Sequence, residues 1–400
     1  MPLRIALIAN SLPAPADSGS MIRACRLAHA LAGVGAVSLY ARCSESDAER
    51  HGAHPDLAPF DRIRLDPEPD PVHASLSRVF SGPSMDRWMA DDDPLGAILA
   101  RDHAEAAFDV VVCQQLFTAN VARGLPGVPM VLDEHNVESQ AIGQVLGAYE
   151  RARVPIDPAL ATARIEAYER AAWPRAALIT CPTVADADRM RGHTTAAVRV
   201  VPNGADTDLI PMRSPSRRAG KSILFVGAYF WPPNFKAAQF LARRVLPLVR
   251  AREPQARLVL CGKSPGIEVA LLRKEGVEIT GTVPSTRPYL DDAMVYGNAL
   301  FQGAGSSLKV LEALASGIPL VSTPAGVRGH PVEPGRHYIP AEDAEGFAGA
   351  ILGVLADPAA FDAQAAAGRA VAESLSWPVV GADFASAVAR VARGERLKDG

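Results

Sequence analysis

The stretch "FQGAGSSLKVLEALASGIPLVST", residues 301–323, decides how this chain reads. An apolar segment ends in a glycine-rich turn, the turn opens a short helix, and a second apolar segment follows. That is the order of a parallel α/β sheet. Gly303 and Gly305 let backbone N–H groups approach a ligand with no Cβ in the way. Ser306 or Ser307 can cap the helix, whose first free N–H groups and dipole favour an anion. Lys309 and Glu312 are three apart and share a face, while Leu308, Leu311 and Ala315 can face a core.

The common phosphate motifs fail. "CGKS" (261–264) and "AGKS" (219–222) resemble the end of a P-loop, but its first glycine would fall on Arg257 and Pro215. "GAGSSL" (303–308) begins like a dinucleotide fingerprint, but its third glycine is Leu308 and no acidic residue near 325 can hold a ribose. A dehydrogenase is therefore disfavoured.

Working outward, the pattern repeats. Apolar runs "LRIALIA" (3–9), "AVSLYA" (36–41), "DVVVC" (109–113), "PMVLD" (from Pro129) and "ALITC" (177–181) alternate with amphipathic stretches such as 20–33 and 157–173. After "VRVVPNG" (198–204) comes the polar "PMRSPSRRAG" (211–220), which reads as a linker. The pattern restarts with strands at 222–228, 256–262, 277–283, 298–302 and 318–323 and a helix at 234–253. Residues 43–95, rich in Pro, Asp and Ser, read as irregular structure at a rim. The fold expected is α/β, with two doubly wound Rossmann-like domains: 1–210, completed by a C-terminal helix at about 378–400, and 221–377.

Bulk properties narrow the function. In 400 residues the net charge is −3, which argues against a nucleic-acid binder or a basic membrane-surface protein. The five cysteines never form a C-x-x-C pair and fit reduced, buried thiols in a cytosolic protein. The N-terminus lacks a signal-peptide core and no apolar run reaches a membrane span. The expected location is the cytoplasm, with peripheral attachment at the inner membrane face still compatible.

Four segments carry a resemblance: "VRVVPNGADTDLI" (198–210), "ILFVGAYFWPPNFKAAQFLARRVLP" (223–247), "GAGSSLKVLEALASGIPLVSTPAG" (303–326) and "SLSWPVVGADFA" (374–385). In this order they resemble the family 4 (group 1) retaining glycosyltransferases of GT-B architecture. The resemblance implies two Rossmann-like domains facing across a cleft. It implies transfer of a sugar, as in a hexosyltransferase, from a nucleotide-diphosphate sugar to an acceptor hydroxyl in glycan, glycolipid or polysaccharide synthesis. No cofactor and no metal are implied, and "DDD" (91–93) falls in the irregular region.

By the same resemblance, Glu312 accepts hydrogen bonds from the donor ribose, and the backbone of Gly303, Ala304, Gly305, Ser306 and Ser307 faces the diphosphate or donor sugar. The family's second glutamate is replaced by Ala304. The arginine and lysine that usually follow the second-domain glycine, here Gly227, are replaced by Ala228 and the Pro233–Asn234 region. Lys236 and Lys309 are the expected substitutes, with Arg328 a weaker one. Of the Gly-Gly pair in the first loop, only Gly19 is kept, followed by Ser20. His135 in "VLDEHNVES" (131–139) matches the histidine that faces the donor sugar; the bland alternative for this cluster is a solvated turn. His103 and His193 read as surface helix residues. The rival functions are a non-catalytic nucleotide-sugar-binding protein of the same fold and a nucleotide-sugar epimerase or sugar phosphorylase of that fold.

Overall fold

The computed structural model describes residues 2–68, 93–149, 157–263, 266–303 and 305–399. The chain divides into two compact units, Met1–Pro202 with Pro378–Gly400, and Asn203–Trp377.

The first unit holds a seven-stranded parallel sheet in the order β3-β2-β1-β4-β5-β6-β7. Its strands are β1 (Leu3–Ala9), β2 (Gly35–Ser44), β3 (Arg62–Glu68), β4 (Val110–Gln114), β5 (Met130–Asp133), β6 (Leu178–Cys181) and β7 (Ala197–Val200). Residues Ile5–Ala9 and all of β4 are buried, as expected of strands covered on both faces. Helices Gly19–Ala32 and Pro158–Ala172 lie where the apolar periodicity put them, the second capped by the Asp157 carboxylate on the Ala159 and Leu160 N–H groups.

The second unit holds six parallel strands in the order β10-β9-β8-β11-β12-β13. They are β8 (Ser222–Val226), β9 (Arg257–Cys261), β10 (Glu278–Gly281), β11 (Val295–Asn298), β12 (Leu320–Ser322) and β13 (Ile339–Pro340). In both sheets the order runs outward from a central pair, so the chain reverses direction across the sheet at β1/β4 and again at β8/β11. This is the doubly wound Rossmann arrangement, and ligands bind beyond the carboxyl ends of the strands at that reversal.

The structure corrects four expectations. The stretch 211–220 is not a linker. Arg218 is buried in the second unit and donates to the carbonyls of Leu290 (2.6 Å), Ala293 (2.8 Å) and Ser316 (2.6 Å). Likewise 203–210 belongs to the second unit, where Ala205 N–H bonds Leu375 O at 2.8 Å and Trp377 N–H bonds Ala205 O at 3.1 Å. Residues 43–68 are not irregular: helix Glu45–His51 leads to β3, an edge strand in full register with β2. The strand expected at 298–302 lies at Val295–Asn298, because β12 ends at Ser322, the partner of Asn298, and offers no further ladder.

The helix expected at 234–253 is a helical run from Pro232 to Arg250 widened into a π-turn at Leu241–Val245. Pro247 explains the break, since it has no N–H to give the preceding turn. Of "DDD", Asp91 and Asp92 lie outside the described residues; Asp93 caps helix Pro94–Glu105 and pairs with Arg42.

Candidate functional site

In the second unit, the loops after β8 and β11 flank the reversal point. The loop after β11 carries Gly303, Gly305, Ser306 and Ser307 into helix Leu308–Ser316; Ala304 lies outside the described residues. Three side chains from other segments hold the carbonyls of this loop. Arg328 donates to Gly303 O. Asn203 Nδ2 donates to Ser306 O at 3.1 Å and to its Oγ at 2.9 Å. His330 Nε2 lies 3.0 Å from Ser307 O, and since a carbonyl only accepts, Nε2 carries the proton. Burial lowers the His330 pKa to about 4 against that bond, so the ring is neutral.

The opposite holds for the donors. Among the described residues, the backbone N–H groups of Ser306, Ser307, Leu308 and Lys309 have no acceptor; the first bond is Val310 N–H to Ser307 O at 3.1 Å. Ser307 occupies the N-cap but its hydroxyl makes no capping bond. Carbonyls tied back and N–H groups left open make a cradle for an anion at a helix N-terminus.

Glu312 stands one turn further on the same helix. Among the described residues its carboxylate receives no hydrogen bond. Burial, then the charge of Asp206, pushes its pKa up to about 7, with Lys309 opposing. Lys309 does not reach freely into solvent: Nζ donates to Asn234 Oδ1 at 2.6 Å and lies 4.8 Å from the Phe225 ring centroid. Burial lowers its pKa to about 7 against the attraction of Glu312. Asn234 also packs on Gly227, so Lys309, Asn234 and Gly227 form one group. Lys236 is not part of it: it is exposed two positions beyond Asn234 and so points to another side of helix Pro232–Phe240.

In the first unit the polar cluster after β5 is buried and is not a solvated turn: Asp133, Glu134, His135 and Glu138 are all at most 9% exposed. Arg23 grips Asp133 with two bonds of 2.9 and 2.7 Å, and Thr180 Oγ1 adds a third at 2.6 Å. Burial alone would raise the Asp133 carboxyl, but Arg23 and His135 hold it well below the carboxylate range. His135 Nε2 is 2.9 Å from Gln114 Oε1 and 3.4 Å from Asp133 Oδ2. Both neighbours accept, so Nε2 is the protonated nitrogen, and burial keeps the ring neutral against the pull of Asp133. Its Nδ1 is then an acceptor, and it has no partner among the described residues, as is true of Gln114 Nε2.

Glu134 accepts the Trp173 indole N–H at 2.8 Å, and burial pushes its pKa well up. Burial likewise raises Glu138 to about 7. Gly19 is exposed at the start of the helix that bears Arg23 one turn later. His103 accepts the Phe108 N–H and His193 stacks on Trp173; neither reaches the cluster.

Sequence reasoning missed Asn203, Asn234, His330 and the Arg23–Asp133–Gln114 frame. It also missed Gln115, which follows β4 with φ +69°, a strained backbone for a side chain with a Cβ. A residue with a Cβ held there costs energy, and it stands at the reversal point of the first sheet.

Comparison with known proteins places this geometry in context. Residues 19–209 match the family described as Glycosyltransferase Family 4, and residues 220–357 match Glycosyl transferases group 1. Phosphatidyl-myo-inositol mannosyltransferase of Mycolicibacterium smegmatis is 25% identical over 197 residues, 46% of this chain and 50% of that protein. The match thus spans half the length of that relative. Sucrose-phosphate synthase from Thermosynechococcus elongatus superposes with a TM-score of 0.72 at 20% identity, covering 98% of this chain and all (100%) of the other. Anabaena Alr3699/HepE in complex with UDP-glucose gives a TM-score of 0.65 at 13% identity, covering 97% and 99%. These likenesses establish the GT-B fold.

Proposed function

The chain belongs to the group 1, family 4 glycosyltransferases, and from that premise we propose that it moves a sugar from a nucleotide-diphosphate sugar to a hydroxyl-bearing acceptor. The observation that carries the reading is the cradle of the second unit: loop carbonyls engaged by Arg328, Asn203 and His330, N–H groups of Ser306–Lys309 open, and Glu312 without a donor among the described residues. A diphosphate answers the N–H groups. A pair of ribose hydroxyls answers the carboxylate, which can accept from both at once.

The proposed chemistry is transfer with retention. The acceptor oxygen bonds to the anomeric carbon on the face the nucleotide leaves, the carbon–oxygen bond to phosphate breaks, and the acceptor proton passes to the departing phosphate oxygen. That route asks no strong base of the protein. It asks for stabilisation of the charge that grows on the leaving diphosphate, a task that falls to the loop N–H groups and Lys309 rather than to a metal. His135, neutral and proton-bearing at Nε2, is proposed to position the sugar. The proposed location is the cytoplasm.

The test is turnover. Sugar conjugates of UDP, GDP, ADP and dTDP are offered with a panel of glycan and lipid acceptors. The reading expects acceptor-dependent release of one nucleoside diphosphate and a product with the donor's anomeric configuration by proton NMR. Binding with no turnover across the panel would favour a binding protein, and free sugar with no acceptor an epimerase. An inverted product would overturn retention alone.

A further inference from the structure

We infer that Asn234 is a positioning residue that delivers the Lys309 ammonium to the diphosphate of the donor. The inference rests on the nucleotide-sugar reading above and deepens it.

A lysine on a short helix has four rotatable methylenes, and at a loop edge its head would ordinarily spread into water. Here it is fixed. Nζ is 2.6 Å from Asn234 Oδ1, on the helix that follows β8, and stands 4.8 Å from the centroid of Phe225 in β8 itself. The Asn234 amide is committed at both ends, since Nδ2 donates to Ala228 O at 2.9 Å. Its orientation follows from chemistry: an ammonium only donates and a carbonyl only accepts, so the amide oxygen must face Lys309 and the nitrogen Ala228. The backbone helps, with Asn234 N–H bonded to Trp231 O at 3.0 Å.

Space for the amide is made by Gly227. A Cβ there would lie 3.0 Å from Asn234 Cγ, tighter than ordinary packing tolerates. The turn after β8, the amide and the ammonium are therefore one built unit at the β8/β11 reversal. Lys309 itself is in the first turn of the helix whose leading N–H groups are open, so its side chain leans back toward that end. Among the described residues no carboxylate reaches salt-bridge distance of Nζ; the nearest acidic influence is Glu312, on the same helix face. A buried lysine head without an ion-pair partner next to unpaired N–H donors fits a ligand with more than one negative charge, whose arrival would favour the protonated ammonium. The neutral amide is the feature that makes this possible: an aspartate at 234 would hold the lysine equally well and cancel its charge.

The test is a mutant cycle read by isothermal titration of the full chain with UDP, GDP, ADP and dTDP, folding being checked by melting curves. Lys309→Met is expected to weaken the nucleotide that binds by roughly ten- to a hundredfold, the loss of a charge-assisted contact. Asn234→Ala is expected to cost about three- to tenfold. The double variant should bind no more weakly than Lys309→Met, because Asn234 acts only through the lysine. Gly227→Ala, which crowds the amide, should weaken binding in the wild-type background and much less in Asn234→Ala. If Asn234→Ala fails to fold, Asn234→Ser, too short to reach Nζ, runs the same cycle.

Losses that multiply in the double variant, or a folded Asn234→Ala with wild-type affinity, overturn the inference while leaving the donor reading intact. Failure of the wild type to bind any of the four nucleotides overturns the donor reading and this inference together.

Discussion

At the scale of single residues, Glu312 and Glu138 are carboxyls that burial keeps protonated beyond their usual range, each to about 7. The consequence for Glu138 is measurable. A carboxyl whose folded pKa is raised binds its proton more tightly folded than unfolded, so stability falls as pH climbs from the unfolded value near 4.5 to about 7 and is level above. Glu138→Gln, an isostere with no charge to bury, should therefore melt increasingly above the wild type from pH 5 to pH 7, by on the order of a few degrees. A constant difference across that range would show that Glu138 titrates normally. Some of these placements were legible in the sequence. Glu312 and Lys309 share a helix face by spacing alone, and His135 stands in the most polar strand end of the chain. Asn234, His330 and Asn203 were not legible, because each acts on a partner 23 to 103 positions away and nothing in the local pattern points there.

At the scale of elements, the parallel strands and the long helices could be read from continuous Val/Ile/Leu runs and 3.6-residue periodicity. What failed was structure set by distant partners. The edge strand β3 alternates Arg, Ile, Arg, Leu and Asp, and is a strand because β2 lies beside it. The basic, proline-containing stretch 211–220 looked solvated, yet Arg218 is buried and its guanidinium holds the carbonyl ends of several segments. Arg218→Ala should lower the stability of the second unit by about 2–4 kcal/mol, since it strands buried carbonyls as well as losing charged hydrogen bonds. A linker residue would give a change within error by chemical denaturation. Gly317 ends helix Leu308–Ser316 with φ +69°, and a Cβ there would lie 2.9 Å from Arg213 O. Gly317→Ala is expected to cost about 1–3 kcal/mol through strain, with nucleotide affinity kept if the variant folds.

At the scale of the whole molecule, each unit is a doubly wound sheet with its own apolar core, and each has polar residues gathered at its own reversal point. The proposed donor cradle is built entirely from residues of 203–377, so it is complete within one unit. Nucleotide should accordingly slow hydrogen exchange at Ser306–Lys309, where the N–H groups are now open; unchanged exchange there would remove the cradle from the account. Everything proposed for this unit turns on whether Glu312 and this loop hold a nucleoside diphosphate. Isothermal titration of the wild type and Glu312→Ala with UDP, GDP, ADP and dTDP decides this. One nucleotide is expected to bind the wild type, and Glu312→Ala to weaken it by roughly ten- to a thousandfold, the loss of one or two charge-assisted hydrogen bonds. Wild-type affinity in a folded Glu312→Ala variant would contradict it.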